Sequence, residues 1–399
     1  RGGPAPAPAA LAAAASAALA AAGHPAAAVT ADPGGEIVAV VAGEVLVAPS
    51  VWLAAPGGAL TLAAGTGAPA AYAGALLFAR PSPGSGLWAV DDLPLERYVA
   101  GVVAREMPAS WPEAALEAQA VACRSYALYA LVAGGRAGDL YELVAGPQDQ
   151  VYGGLGAETP ATDEATWATA GEVLTYRGEP IQALYEPDSG GYTAPSADVW
   201  GTPVPYLAAV PEPPGYRPLR WREVRTGREL EALVQAATGV DVGPVQAVAP
   251  LPPLGPGGRV LALALTGPRG TVTVRDDRVR TALDLPSDVF ALRTDAEVAV
   301  EGAGGRRRIA LALEGLTAQG AAVAHVLGPG ERAVVVGAGA ARALPAAPAA
   351  FTFVGRGLGP GLGMSQDGAL YMARQGAGAA AILLYYYRGV ELSWWYGGP

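Results

Sequence analysis

The chain is poor in the side chains on which most hydrolytic and metal-dependent enzymes rely. Its single cysteine, Cys123, excludes an internal disulfide and any zinc site assembled from several thiolates. Histidine occurs only twice, as His24 and His325, so a mechanism has to run largely on carboxylates. Lysine and asparagine are absent, which GC-rich coding explains and from which no chemistry follows. The 26 basic residues stand against 36 acidic ones, a net charge of −10. An acidic chain without a basic stripe points away from nucleic acid, because neutralisation of phosphates drives that affinity. A neutral or weakly charged substrate fits better. No run has the apolar density of a membrane-spanning helix; the alanine-rich stretch over 9–22 is too poor in Leu, Ile, Val and Phe.

What the chain has in quantity is alanine, glycine and proline. A hydrophobic fraction of 51% over 399 residues is enough for a sizeable core, although alanine inflates it. The length corresponds to two or three domains. The 55 glycines and 36 prolines predict many turns and loops. Residues 1–35 read as an Ala/Pro-rich tail, with room for one alanine helix. Residues 36–215 form a first region, 216–300 an α/β middle region, 301–350 an inserted β-rich module, and 351–399 a C-terminal segment opening on a glycine-rich loop. The expected fold class is α+β, with mixed strands around a central helix pair.

Within 36–90, short apolar runs (EIVAVVAGEVLVA, GALTLAAG, GALLFAR, GLWAV) broken by Gly and Pro predict short strands. LPLERYVAGVVARE then places Leu95, Tyr98, Val99, Val102 and Val103 at helical spacing. The residue before a proline is pushed out of the α region, so Pro108 predicts a helix end near Glu106. Ser110-Trp111-Pro112-Glu113 has the form of a capping box opening a second helix. Leu116, Ala120, Cys123, Ala127 and Leu131 line one face of that helix, and Gly134-Gly135 stop it. GEVLTY and PIQALYE predict strands, Ser189-Gly190-Gly191 a turn, TGRELEALVQAAT a helix near 226–238, and GRVLALAL and GTVTV further strands. A last helix is expected over Ala369–Arg374.

Four stretches, taken in order, resemble the SpoIID/LytB family, which contains stage II sporulation protein D and amidase-enhancer proteins. They are LPLERYVAGVVAREMPASWPEAALEAQAVACRSYAL, then YEPDSGGYT with ADVWG and PYL, then LPSDVF, and finally GRGLGPGLGMSQDGALYMARQG followed by ILLYYYRGVEL. The similarity runs from about residue 70 to 392, with an unmatched insertion near 301–346. It implies an exported, extracytoplasmic protein of the cell envelope that works on peptidoglycan glycan strands. Sporulation members are lytic transglycosylases. They cut between N-acetylmuramic acid and N-acetylglucosamine, leave a 1,6-anhydro end, and prefer strands stripped of stem peptides. The family's catalytic acid is the Glu of Glu-Met-Pro, which is Glu106 here.

Such a reaction needs one acid and no second, water-activating carboxylate. At the C-terminal end of a helix the dipole is negative and disfavours an ionised carboxylate, and Met107 and Pro108 would add desolvation in the same direction. The sequence departs from the family at three places. A His usually follows the Tyr of the second motif, where this chain has Tyr185-Glu186-Pro187. Gly-His-Gly is usual in the C-terminal motif, where this chain has Gly359-Pro360-Gly361. Asp149 stands in a loop where some members place zinc ligands. No metal and no other cofactor is therefore expected. The glycine loop follows no βαβ pattern and carries no Walker lysine, which argues against a nucleotide. Two outcomes stay open. Glu106 cuts glycan while Glu186 or Asp188 takes over part of the lost polar network, or the site binds glycan without cutting. A third class of role is that of an envelope structural or amidase-regulating protein with another envelope protein as partner.

The remaining candidates each have a structural and a functional reading. Gln119 fits a buried amide or a sugar contact. Arg124 fits a substrate contact or an ion pair with Glu106 or Asp188. Ser189, Gly190 and Gly191 fit a tight turn or room for a glycan strand. Trp111, Trp200 and Tyr185 fit core packing or stacking on pyranose rings. Gly361, Ser365 and Gln366 fit a backbone-rich wall of a glycan cleft, with Ser365 and Gln366 bonding to hydroxyl and acetamido groups, or a glycine-rich loop that only positions the following helix. Cys123 fits a small buried filler, and Trp394-Trp395-Tyr396 an interface or membrane edge, or a tail packed on its own domain.

Overall fold

A computed structural model describes residues 28–31, 37–41, 44–63, 69–80, 86–133, 140–295 and 348–397, some by backbone alone, and the backbone of six short strands between 297 and 344. The chain forms two compact units, Arg1–Leu174 with Ser393–Pro399, and Thr175–Leu392. The segment expected as one region over 36–215 is shared between them. The chain passes from one to the other inside a continuous strand, where no linker composition marks a boundary.

In the first unit the punctuated apolar runs become antiparallel strands. β1 (Ala28–Ala31), β2 (Ile37–Val41) and β3 (Glu44–Ala48) form one sheet, and β4 (Ser50–Leu62), β5 (Ala70–Ala79) and β6 (Trp88–Asp92) another. The expected tail over 1–35 lies outside the described residues except for β1, which is a strand because it supplies the antiparallel partner of β2. Ile37, Ala39, Val51, Leu76 and Phe78 meet in one core.

Helix α1 (Leu95–Glu106) ends where Pro108 predicts, with Met107 extended and buried. Helix α2 (Glu113–Ala133) starts later than the capping-box reading places it. The chain first turns through Pro108–Trp111, and the carbonyl of Pro112 receives the amides of Ala115 (2.9 Å) and Leu116 (3.3 Å). Ser110 therefore lies outside the helix and does not cap it. Thr159 caps α3 (Pro160–Ala168) with a reciprocal Thr159–Thr162 box. β7 (Glu172–Tyr176) carries the chain into the second unit.

The helices of the first unit close on a buried ion pair. Arg124 is fully buried; its Nη2 and Nε donate to the Glu96 carboxylate at 2.7 and 2.9 Å. Further donors reach the carbonyls of Thr166 (3.1 Å) and Glu172 (3.0 Å). Glu96 also accepts the Gly171 amide at 3.0 Å and the Tyr396 hydroxyl at 2.5 Å. The aromatic C-terminus is thus tied to its own unit.

The second unit starts with two short strands, β8 (Glu179–Pro180) and β9 (Tyr185–Glu186). The longer strand expected over PIQALYE is interrupted because Ala183 and Leu184 donate to the carbonyls of Ile181 and Gln182 two residues back. After α4 (Ser196–Trp200) come β10 (Arg220–Thr226) and α5 (Gly227–Thr238), the latter capped by a Thr226–Glu229 box. β11 (Ala247–Pro250), β12 (Ala262–Gly267) and β13 (Gly270–Arg275) form one antiparallel sheet. α6 (Arg278–Thr281) and β14 (Phe290–Thr294) follow.

In the segment expected as an inserted module, the backbone forms three hairpins. These are β15 (Glu297–Gly302) with β16 (Gly305–Ala310), β17 (Thr317–Gln319) with β18 (Ala324–Val326), and β19 (Ala333–Val336) with β20 (Ala341–Leu344). β21 (Ala350–Arg356) then pairs with both β10 and β14. Leu230, Val234, Leu263, Leu265, Phe351 and Phe353 fill the core beneath. β22 (Met364–Ser365), α7 (Gln366–Arg374), α8 (Ala379–Tyr386) and β23 (Glu391–Trp394) complete the chain. Helix α7 starts earlier than expected because the Ser365 hydroxyl accepts the Gly368 amide at 3.1 Å and caps it. Among the described residues, no helix is long and apolar enough to cross a membrane.

Removing one partner of a buried pair strands the other charge without compensation. Glu96→Ala is expected to destabilise the protein by about 3–5 kcal/mol, while Glu96→Leu with Arg124→Met together restore most of the loss. Denaturant unfolding of the three variants checks this.

Candidate functional site

The candidate residues divide between the units: Glu106, Gln119 and Arg124 in the first, the others in the second. Glu106 is the last residue of α1 and half-buried. One of its carboxyl oxygens accepts the Val151 amide at 2.9 Å. The segment carrying Val151 is laid against α1 by further bonds. The Gly153 amide donates to the Gly101 carbonyl (3.2 Å), and the Tyr98 hydroxyl to Gln150 (3.2 Å). Gly101 has to be small, since a Cβ there would lie 2.5 Å from the Tyr152 ring.

Gln119 is buried inside α2, with its Nε2 donating to the Cys123 sulfur at 3.2 Å. Arg124 is paired with Glu96 rather than with Glu106 or Asp188, because it points into the helix packing; it is a structural anchor and not a surface contact. A cavity of about 720 Å³ opens in the same unit, walled by Tyr72, Trp88, Tyr98, Tyr141 and Tyr152. Asp91 stands in that wall and accepts the Tyr152 hydroxyl at 2.9 Å; burial pushes its carboxyl up to about 6.

In the second unit the two glycine-bearing motifs meet. β9 pairs in parallel with β22, Tyr185 opposite Met364 and Glu186 opposite Ser365. Asp188 and Leu358 exchange backbone bonds of 3.2 and 2.8 Å. The Asp188 carboxylate holds its own turn, accepting the amides of Gly190 (2.8 Å) and Leu219 (2.6 Å). The Ser189 hydroxyl donates to Glu212 at 2.6 Å, which also accepts the Tyr386 hydroxyl at 2.7 Å. Glu186 is buried and accepts the Gly361 amide. Burial raises the Glu186 carboxyl to about 8, outweighing the opposing pull of Arg259 and of that amide.

Several expected contacts are turned inward. Asp188, Ser189, Ser365 and Gln366 are all buried. The Ser365 hydroxyl is fully buried, where it caps the helix and bonds to Glu212, so it does not line an open wall. Gly190 and Gly361 are buried, Gly191 and Tyr185 are half-buried, and Trp200 is exposed. Two residues that sequence reading missed bind this assembly. Arg259 is buried; it pairs with Asp288 and donates to the carbonyls of Pro360, Ser189 and Tyr192 at 3.1, 3.1 and 3.2 Å. Burial lifts Asp288 to about 6 despite the arginine beside it. Asp288 lies in LPSDVF and was in principle legible. Arg259 lies at the head of the GRVLALAL run, where the strand starts only at Ala262 and nothing local marks the arginine as an anchor.

The residues do not fit a zinc centre. Asp149 is committed to its own loop and to α2, accepting the Val144 amide (2.8 Å) and the Tyr126 hydroxyl (3.0 Å). Among the described residues, no group of three His, Cys, Asp or Glu side chains could hold a metal ion.

Comparison with known proteins finds similarity over much of the chain. The family model "SpoIID: Stage II sporulation protein" matches residues 84–176. The chain is 26% identical over 317 residues to "Stage II sporulation protein D" of Bacillus subtilis (strain 168), covering 76% of each chain. It is 27% identical over 317 residues to the protein of the same name in Bacillus amyloliquefaciens, covering 76% of this chain and 75% of that one. It is also 42% identical over 109 residues to the "Amidase enhancer" of Bacillus subtilis (strain 168), covering 27% of this chain and 14% of that protein.

Two measurements follow from the second unit. Gly361 has φ +90°, and a Cβ there would collide with the Arg259 guanidinium; Gly376 has φ +91° and open space around it. Gly376→Ala should cost about 1 kcal/mol from the left-handed backbone alone, and Gly361→Ala about 3 kcal/mol or more because overpacking adds to it. Unfolding midpoints of the pair separate the two effects. The folded-state carboxyl of Glu186 is raised from 4.5 to about 8, so its contribution to stability is full below pH 4.5 and is lost as pH rises through about 8. Glu186→Gln should therefore flatten the fall in stability between pH 5 and pH 8.5 seen in the wild type.

Proposed function

We propose that this chain, a member of the SpoIID/LytB family, is an exported lytic transglycosylase that cleaves peptidoglycan glycan strands with Glu106 as its acid. The family's involvement in cell-wall processes supports the substrate class. The observation that carries the reaction is Glu106 itself. It closes α1 beside buried Met107, half-open to solvent, with one oxygen oriented by the Val151 amide. In this reading Glu106 gives its proton to the glycosidic oxygen between N-acetylmuramic acid and N-acetylglucosamine. The C1–O bond breaks, its electron pair leaves with that oxygen, and positive charge develops at C1. The Glu106 carboxylate then takes the proton of the sugar's own 6-hydroxyl while O6 closes on C1. The acid is regenerated, no water is consumed, and no histidine takes part. The aromatic cavity of the first unit, with Tyr98 two turns before Glu106, offers stacking faces for pyranose rings.

A second reading is a glycan-binding or amidase-regulating envelope protein without cutting activity. It is favoured by the Gly359-Pro360-Gly361 segment, whose carbonyl and amide are taken up internally by Arg259 and Glu186. The relative named "Amidase enhancer" points the same way.

Digestion of purified peptidoglycan, intact and stripped of stem peptides, with mass spectrometry of the fragments, separates the two. Anhydro ends from the wild type that fall at least about a hundredfold in Glu106→Gln are the expected result. Retention on the wall with no new ends from either protein would establish the second reading.

A further inference from the structure

We infer that Arg259, which lies outside the four stretches that carry the family resemblance, is the residue that positions the glycine-rich loop over 357–364 in the second unit. What that loop binds rests on the peptidoglycan reading; what holds it rests on geometry alone.

One buried side chain touches three segments far apart in sequence. Its Nη2 donates to the carbonyls of Ser189 and Tyr192, on either side of the Gly190-Gly191 turn. Its Nη1 donates to the carbonyl of Pro360 in the glycine loop and pairs with Asp288 in the middle motif. The backbone next to it is tied to the same place, since the Val260 amide donates to the Asp288 carbonyl at 2.8 Å. Asp288 therefore meets the arginine both through its side chain and through the neighbouring main chain.

The loop needs such an outside anchor. A glycine-rich backbone has little stiffness of its own and loses more freedom on ordering than any other. Pro360 contributes no N–H, so its carbonyl is the polar backbone group it can offer a partner. The guanidinium takes that carbonyl and packs directly against Gly361, whose own amide goes to Glu186. A planar fork can satisfy several acceptors in fixed directions, which a single ammonium cannot. The arginine thus couples the turn after Asp188 to the loop after Gly357, the two pieces of backbone that β9 and β22 bring side by side.

A purely structural role for the pair and a positioning role predict different behaviour when both charges are removed. Arg259→Met alone strands Asp288 and should lower the unfolding midpoint in either case. Arg259→Met with Asp288→Leu removes the whole pair and should recover most of that midpoint. In the recovered double variant we expect amide hydrogen exchange in a peptide covering 357–364 to run roughly tenfold faster than in the wild type. The peptidoglycan concentration at which half of the protein is retained should rise about fivefold, because a loosened loop must be ordered on binding. Arg259→Lys keeps the charge opposite Asp288 and serves if the double variant does not fold; it should show the same faster exchange.

Wild-type exchange over 357–364 in the double variant, or in Arg259→Lys, would overturn the inference. The exchange measurement involves no glycan. A wild type that neither retains nor cuts peptidoglycan therefore sinks the functional reading while leaving the role of Arg259 to be decided by the exchange rates.

Discussion

A guanidinium stays charged at any pH a protein experiences, so burying one forces a carboxylate and several carbonyls to gather around it. Each unit of this protein is organised about one such fully buried arginine. In the first, Arg124 draws together Glu96 at the start of α1, the end of α3 and the start of β7, and through Glu96 the C-terminal Tyr396. The position of α1, and with it of Glu106, follows from that closure. In the second, Arg259 gathers the turn after Asp188, the Asp288 segment and the glycine loop. Helix packing in one case and loop placement in the other are consequences of the same electrostatic demand.

Burial also shifts carboxyl groups far from their ordinary range. Glu186 is fully buried, and desolvation raises it to about 8. At neutral pH it is then largely a neutral group with one O–H donor and spare acceptor capacity, which is close to the hydrogen-bonding inventory of a neutral imidazole. It accepts the Gly361 amide in that state. Asp288 and Asp91 show the same tendency, each lifted to about 6 by burial. In all three the cause is the same, removal of the carboxyl from water.

How far the sequence reveals this depends on the range of the interactions concerned. The end of α1 was legible because Pro108 acts on its immediate neighbour, and α5 because Thr226 and Glu229 cap each other three residues apart. The start of α2 was misread from the same kind of local pattern. Ser110 and Glu113 have the right spacing, but the turn over Pro108–Trp111 and the proline at 112 move the helix start to Glu113. Ser365 looks like a sugar contact in a glycine-rich loop, yet it caps α7. The same hydroxyl can serve either purpose, and only the backbone direction after it decides.

Composition and local motifs by themselves determined the class of the protein: α+β and acidic, with a glutamate at a helix end. They also determined where several elements begin and end, since turn, cap and proline effects reach only a few residues. Tertiary structure alone decided the partners. Arg124 pairs with Glu96 across 28 positions, and Arg259 reaches Pro360 across 101. No local rule links residues so distant. Which carboxylate meets a buried cation is settled only when the elements between them have packed and water has been excluded.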